Sequence, residues 1–122
     1  MATDFRNDTG FPRRGRLPLG GYLWLLRVFD KARANAAGTI GDYVYPCPID
    51  RGVMERWGIS PAQFDAVARR TESEDALLAW ARSHITGDAA DRANSWLCVE
   101  MFENLDRQDR EEGAFIAQSN LR

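Results

Sequence analysis

The chain has few residues of the types that give small proteins covalent or metal-based stability. Its 122 residues include two cysteines and one histidine, which are too few for a disulfide framework and lack the close-pair spacing of zinc ligands. We therefore expect reduced thiols, no metal and no cofactor. No apolar run approaches the roughly 20 residues of a membrane span, and the N-terminal MATDFRNDTG lacks the basic and apolar regions of a signal peptide. These absences predict a cytoplasmic protein that does not enter membranes.

Neither positive nor negative charge is in large excess in this chain. Sixteen Lys and Arg residues against eighteen Asp and Glu residues leave a net charge of -2. The chain thus has no electrostatic basis for binding nucleic acid or an anionic membrane. Its one basic cluster, Arg13, Arg14 and Arg16, is offset by Asp4 and Asp8. With 44% apolar and 28% charged residues, the composition is typical of one folded domain.

The periodicity of apolar residues predicts an all-α fold, a compact single-domain bundle of five or six helices over residues 19–122. Residues 1–18 contain prolines and glycines without a regular period, and we expect an irregular arm there. The first helix is expected over 21–37, because that stretch lacks proline and ends before Gly38. An extended ordered loop follows, with a short hairpin at Gly41-Asp42 as an option.

Two strong helix-start signals come next. Asp50 is expected to cap a short helix over 51–57. Ser60 is expected to cap the following helix to about residue 70, with Pro61 in its first position and Gln63 closing a capping box. A fourth helix begins near Ser73 or Thr71, where acidic residues suit the positive end of the helix dipole.

A fifth helix is predicted from Asp88 to about Asp106. Its buried stripe consists of residues spaced by three and four, namely Ala90, Ala93, Leu97, Cys98, Met101, Phe102 and Leu105. The charged tail that follows is ambiguous, with a short helix after Gly113 as one option. The four tryptophans either build the core or wall a cavity for a flat ligand.

Two motifs agree in order and spacing with a known pattern. The first is Leu19-Gly-Gly-Tyr22 followed by Arg27-x-x-Asp-Lys-x-Arg-Ala34, and the second is Gly38-x-x-Gly-x-Tyr-x-Tyr-x-Cys-Pro-x-Asp50. Over about residues 17–58 the chain resembles a small bacterial family that is catalogued as a domain of unknown function. The resemblance implies a compact, mainly helical bacterial protein, and it implies no activity.

Charged residues on the first helix raise the question of a site. Arg27, Asp30, Lys31 and Arg33 are spaced by three and four, so that Asp30 is expected to reach a guanidinium on either side. One interpretation is an ion-pair network on a solvent-exposed face. The other is a partly buried cluster that forms a pocket together with the loop after the helix.

In the second interpretation the pocket binds a small organic molecule, and catalysis of a cofactor-free isomerisation, cyclisation or elimination is left open. Arg27 would hold an oxyanion, Asp30 would orient it or act as base, and Tyr43 or Tyr45 would donate a proton. The ligand-binding candidates are Tyr22, Trp24, Lys31 and Cys47. Cys47 as a nucleophile would need a neighbouring base, and the one histidine, His84, is far along the chain. The alternative function is a non-catalytic interaction or self-association module, with a homodimer as one form.

Overall fold

A computed structural model describes residues 4–6 and 10–120, with side chains described as far as Gly113. The elements are α1 (Leu25–Ala37), α2 (Pro48–Trp57), α3 (Pro61–Arg70), α4 (Glu74–His84), α5 (Gly87–Ser95), a π-helical turn (Trp96–Glu100) and α6 (Phe102–Asn120). The described ranges contain these helices and one isolated β-bridge but no strand. The predicted all-α single domain of five or six helices is confirmed.

The apolar core lies where α1 packs against α3 and α2 packs against α5. Its largest fully buried side chains include Trp24, Phe64, Leu25, Met54 and Leu77. Burial of this apolar surface is the main source of the free energy of folding. None of the helices in the described part of the chain is both long and apolar enough to cross a membrane.

The first helix begins four residues later than predicted. Gly20 and Gly21 both have positive φ angles of 58° and 89°, and Trp24 itself has a φ of 70°. The backbone N–H of Trp24 donates to the carbonyl of Gly15 at 2.6 Å, so the chain before α1 turns back on the arm. A left-handed bulky residue is unusual, and it ends any helical path from Gly21.

The cap of α2 is Cys47, so the prediction that Asp50 caps this helix is wrong by three residues. Asp50 stands at the third helical position, where its carboxylate accepts from the backbone N–H of Cys47 at 2.9 Å. The Cys47 Sγ in turn accepts from the backbone N–H of Asp50 at 3.4 Å. This is a capping box with a thiol in the place of the usual hydroxyl. The predicted caps Ser60, with its Gln63 box, and Ser73 are confirmed.

The predicted fifth helix is interrupted. α5 ends at Ser95, the π turn widens the helix by one residue, and α6 starts after Met101. The ambiguous tail is helical, because α6 continues to Asn120. An inserted residue rotates the following side chains around the helix, so Cys98 and Phe102 are exposed although they were expected in the buried stripe.

The loop between α1 and α2 makes a tight turn at Gly41-Asp42, where the N–H of Tyr43 donates to the carbonyl of Ile40. The described residues show no strand pair on either side of it, so the hairpin option is not realised. Gly41 has a φ of 65°, and a side chain there would meet the Phe5 carbonyl oxygen at 2.6 Å. The N-terminal arm thus fixes the shape of this loop, since Phe5 is buried beside it.

Asp50 ties α2 to α1. Its side chain is completely buried, and besides the Cys47 N–H it accepts from Trp24 Nε1 and from Lys31 Nζ, both at 2.8 Å. A buried carboxylate with three donors is stable. Removal of its charge leaves the Lys31 ammonium buried without a counter-charge.

We therefore expect Asp50→Asn to lower the free energy of unfolding by about 3–5 kcal/mol, because an isolated buried charge is strongly unfavourable. Urea unfolding followed by circular dichroism measures this. In the double variant Asp50→Asn with Lys31→Met no charge is stranded, and we expect it to be more stable than Asp50→Asn alone. If the double variant is the less stable of the two, the stranded ammonium is not the cause.

Candidate functional site

The charged residues of α1 lie inside the protein. Arg27 is 2% exposed, Asp30 is 9% exposed and Lys31 is 3% exposed, so the interpretation as a network on a solvent-exposed face is wrong. The predicted pairing of Asp30 with Arg27 or Arg33 on the same helix is wrong as well. Each of the three buried charges pairs with a residue far away in the sequence.

Asp30 is bound by the N-terminal arm. Its carboxylate accepts from the backbone N–H of Arg13 at 2.9 Å and from Arg13 Nε and Nη2 at 3.0 Å and 2.9 Å. The Arg13 guanidinium also pairs with Glu74 at the start of α4. The carboxylate that the sequence suggested as a base is therefore occupied by a structural contact.

Arg27 meets a carboxylate from the other end of the chain. Its Nη1 and Nη2 donate to Glu112 Oε1 and Oε2 of α6 at 3.0 Å and 2.7 Å. The Tyr43 hydroxyl donates to the same Glu112 Oε2 at 3.0 Å. Glu112 is 6% exposed. The result is a buried two-point ion pair, reinforced by a phenol, that joins α1, the loop and α6.

Two aromatic rings lie close to the Arg27 guanidinium. Its Cζ lies 5.4 Å from the ring centroid of Trp24 and 5.8 Å from that of Tyr43, distances at which a cation is attracted to the ring face. Burial alone would lower the pKa of Arg27, but the hydrogen bonds and charge of Glu112 outweigh it and raise the pKa. Arg27 Nε is buried and has no hydrogen-bond partner among the described residues, which leaves one N–H donor unused.

A depression of about 460 Å³ opens to solvent beside this ion pair. The groups that line it from α1, the loop and α6 include Arg27, Lys31, Tyr43, Cys47 and Glu112. Further side chains that line it are Phe11, Asp42, Val44, Arg107, Gln108 and Glu111. Four of the eight sequence candidates thus meet in one place, namely Arg27, Tyr43, Lys31 and Cys47.

The other four candidates do not line the depression. The Tyr45 hydroxyl donates to Asp65 Oδ1 of α3 at 2.6 Å, and the Tyr22 hydroxyl donates to the Ile85 carbonyl at 3.3 Å. Trp24 is fully buried beneath Arg27, and Asp30 faces the arm. These four side chains support the fold around the site rather than its surface.

Glu112 was absent from the sequence candidates, because it stands in a charged run that has no clear helical stripe. One sequence feature does indicate that Glu112 is buried. Glu112 follows the buried Leu105 by seven residues, two helical turns, and so lies on the same face of α6. Its neighbour Glu111 falls off that face and is exposed.

The two loop tyrosines are held in their neutral form. Burial, together with the charge and hydrogen bond of Glu112, raises the pKa of Tyr43 well above its ordinary value. Burial and the hydrogen bond to Asp65 do the same to the pKa of Tyr45. Tyr43 is therefore a hydrogen-bond donor at neutral pH, directed at a carboxylate. Among the described residues, no cluster of three or more His, Cys, Asp or Glu side chains is placed to hold a metal ion.

The raised pKa of Tyr43 predicts a pH dependence of stability. The folded protein holds the phenol proton more tightly than the unfolded chain, whose tyrosines ionise near 10.0. This contribution is complete below that pH and is lost as the pH rises through the folded pKa. We expect the free energy of unfolding to fall less steeply above pH 10 in Tyr43→Phe than in the wild type.

Chemical denaturation at a series of alkaline pH values measures the slope, and phenolate absorbance measures the ionisation itself. Tyr45 is present in both proteins, so the difference between them reports Tyr43. If the folded wild type shows a phenolate that ionises near the ordinary pKa and that Tyr43→Phe lacks, the assignment of Tyr43 as a buried donor is wrong.

Comparison with known proteins gives a family but no activity. The curated proteins contain no match to this chain. A family model described as "Domain of unknown function (DUF5069)" matches residues 9–120. The match takes in α1, the loop and α6, and thus extends well beyond residues 17–58, where the sequence motifs suggested such a resemblance. The chain belongs to this family of unknown function, the DUF5069 domain family.

Proposed function

We propose that this protein binds a small polar organic molecule in the depression between α1, the loop over 42–47 and α6. The observation that carries the proposal is the convergence of three groups on its wall. A buried guanidinium (Arg27) and a neutral phenol (Tyr43) both donate hydrogen bonds to one buried carboxylate (Glu112) at the edge of the open space.

Stability alone does not account for this arrangement. The removal of two charges from water is unfavourable, and apolar residues of similar volume in place of a buried ion pair are often neutral or stabilising. The chain already has an extensive apolar core. Buried charges beside a cleft are typical of sites that recognise or transform a ligand.

The lining suits a ligand with a polar end and a less polar body. Arg27, Lys31 and Tyr43 supply N–H and O–H donors at the inner wall, whereas Phe11 and Val44 supply apolar surface. Pockets of this kind fix orientation through a few polar groups and gain affinity from the apolar remainder. A volume of about 460 Å³ accommodates a metabolite-sized molecule.

The catalytic form of the proposal is a cofactor-free proton transfer, in an isomerase, cyclase or lyase. Arg27 would stabilise an oxyanion on the ligand, and Tyr43 would donate a proton to it. Asp30 is engaged by Arg13, so a base would come from the carboxylates that line the depression, such as Glu112.

A thermal-shift screen of carboxylic acids, amino acids, sugars and phosphate esters tests ligand binding. We expect at least one class to stabilise the wild type, with an affinity about fivefold weaker in Tyr43→Phe, because one hydrogen bond to a ligand is worth about 1 kcal/mol. The control is Arg33→Gln. Arg33 lies on α1 but its guanidinium stacks on Phe29, away from the depression, so that affinity should be unchanged.

Calorimetric titration of each hit with the three proteins gives the affinities. Hits whose affinity is the same in Tyr43→Phe as in the wild type bind elsewhere, and they would contradict the proposed site. A screen with no hit in any class would contradict ligand binding of this kind.

A second candidate function is self-association, and exposed apolar side chains near the π turn favour it. Val99 is 67% exposed and Phe102 is 46% exposed, with the half-buried Trp96 close by in the chain. Apolar side chains grouped on a surface are typical of contact sites between proteins. In this proposal two copies bury these residues against each other.

Sedimentation velocity tests self-association through Val99 and Phe102. If the chain self-associates through this patch, Val99→Lys should shift a dimeric wild type to monomer. Leu17→Lys is the matched control, because Leu17 is 48% exposed and belongs to the arm, and its dimer should persist. A wild type that sediments as a monomer at high concentration rules this candidate out.

A further inference from the structure

The Arg27 and Tyr43 pair has the geometry of a complete receptor for a carboxylate. Two parallel N–H donors of Arg27 and the Tyr43 hydroxyl converge on one carboxylate group, that of Glu112. Two-point guanidinium binding is the arrangement that proteins use to recognise carboxylates. The side chain of Glu112 occupies this receptor as a ligand would.

The receptor is positioned by parts of the chain other than α6. Arg27 stands in the first turn of α1 close to the rings of Trp24 and Tyr43, and its Nη1 also donates to the Arg13 carbonyl at 3.4 Å. The Tyr43 ring packs edge-on against Phe5, with centroids 5.5 Å apart. These contacts therefore hold the two Arg27 N–H donors and the Tyr43 hydroxyl in position if Glu112 moves away.

The described side chains of α6 from residue 106 to 113, by contrast, are attached chiefly by charge. Among the described side chains from 106 to 113, Glu112 alone is buried. This stretch is also joined to the arm by ion pairs of Arg16 with Asp106 and Asp109, whose side chains are 44% and 20% exposed. Exposed ion pairs contribute little to stability, so the Glu112 carboxylate is the principal anchor there.

Arg27 also has a hydrogen-bond donor that Glu112 does not use. Arg27 Nε is a buried donor without a partner among the described residues. The depression beside it leaves room for the remainder of a ligand that places a carboxylate on Arg27.

We infer that the ligand of this pocket is a small organic carboxylate, and that Glu112 is a built-in competitor which the ligand carboxylate displaces from Arg27 and Tyr43. This inference rests on the proposed function and names its ligand class. An acid that binds takes over the two Arg27 N–H donors and the Tyr43 hydroxyl, and residues 106–113 of α6 lose the anchor that Glu112 provides.

The test is chemical rescue with acetate. Glu112→Ala removes the internal carboxylate and leaves space for a free one. We expect this variant to unfold at lower temperature than the wild type, and acetate to restore its stability with an affinity at least about tenfold above that for the wild type. Acetamide, which has the same shape without the charge, and sodium chloride at equal ionic strength should not restore it.

Two variants make the assay specific. Asp106→Ala removes a carboxylate from an exposed ion pair of the same helix, and acetate should not restore any stability that it loses. Arg27→Met combined with Glu112→Ala removes the receptor, and acetate should then have no effect. Equal stabilisation of wild type and Glu112→Ala by acetate, or equal rescue by acetamide, overturns the inference.

Hydrogen exchange on the wild type gives a measurement that does not depend on the folding of Glu112→Ala. Acetate in excess should speed amide exchange in residues 106–113 and leave α2 unchanged. Exchange that stays the same or slows in this stretch overturns displacement of Glu112. The two proposals can also be told apart. If acetate does not rescue Glu112→Ala but a neutral compound from the ligand screen binds and requires Tyr43, the pocket is supported and the assignment of a carboxylate ligand is wrong.

Discussion

Desolvation of the charges on α1 is the constraint on which the rest of this structure depends. An ionised group that leaves water is stable only next to an opposite charge and with its hydrogen bonds satisfied. The buried charges of α1 do not satisfy one another, so the counter-charges come from three distant parts of the chain. They are Arg13 of the arm for Asp30, Asp50 of α2 for Lys31 and Glu112 of α6 for Arg27. One helix thereby ties together the arm, α2 and the part of α6 around Glu112.

The local features of the fold are those that the sequence predicts well. Ser60 with Gln63 and Ser73 begin their helices as expected, because a cap depends on side chains within three residues of it. The predicted start of α1 was wrong because Trp24 adopts a left-handed conformation. Contacts of Trp24 with Gly15 and Asp50 maintain that conformation. The π turn was not predicted either, and its first residue, Trp96, packs on Gly52 and Arg56 of α2, which are distant in sequence.

Only part of the candidate site was predicted from the sequence. Arg27 and Tyr43 stand out in sequence because charge in an apolar helix and aromatic residues in a loop are unusual, and they do meet in the structure. Their partner Glu112 lies 85 residues from Arg27, and a single sequence contains no local signal for such a pairing. The same limit explains Asp30, whose nearest basic residues in sequence are on its own helix but whose partner is Arg13 in the arm.

Charge balance in the wall of the depression sets a condition on any ligand. Arg27 is neutralised by Glu112 and Lys31 by Asp50, so a neutral ligand adds to the site without any change in protein charge. An anionic ligand that reaches Arg27 introduces a negative charge beside two buried pairs that are already balanced, which is unfavourable among buried groups unless a carboxylate of the protein departs. Asp50 is held by the start of α2, by Trp24 and by Lys31, and its departure would open the core. Glu112 has no such ties to the apolar core among the described residues, and the charged residues just before it on α6, Arg110 and Glu111, are exposed. Asp50 and Glu112 therefore differ in kind, Asp50 as a fixed part of the fold and Glu112, in our proposal, as an exchangeable carboxylate. Binding of an acid would then be coupled to the position of α6 by electrostatics alone.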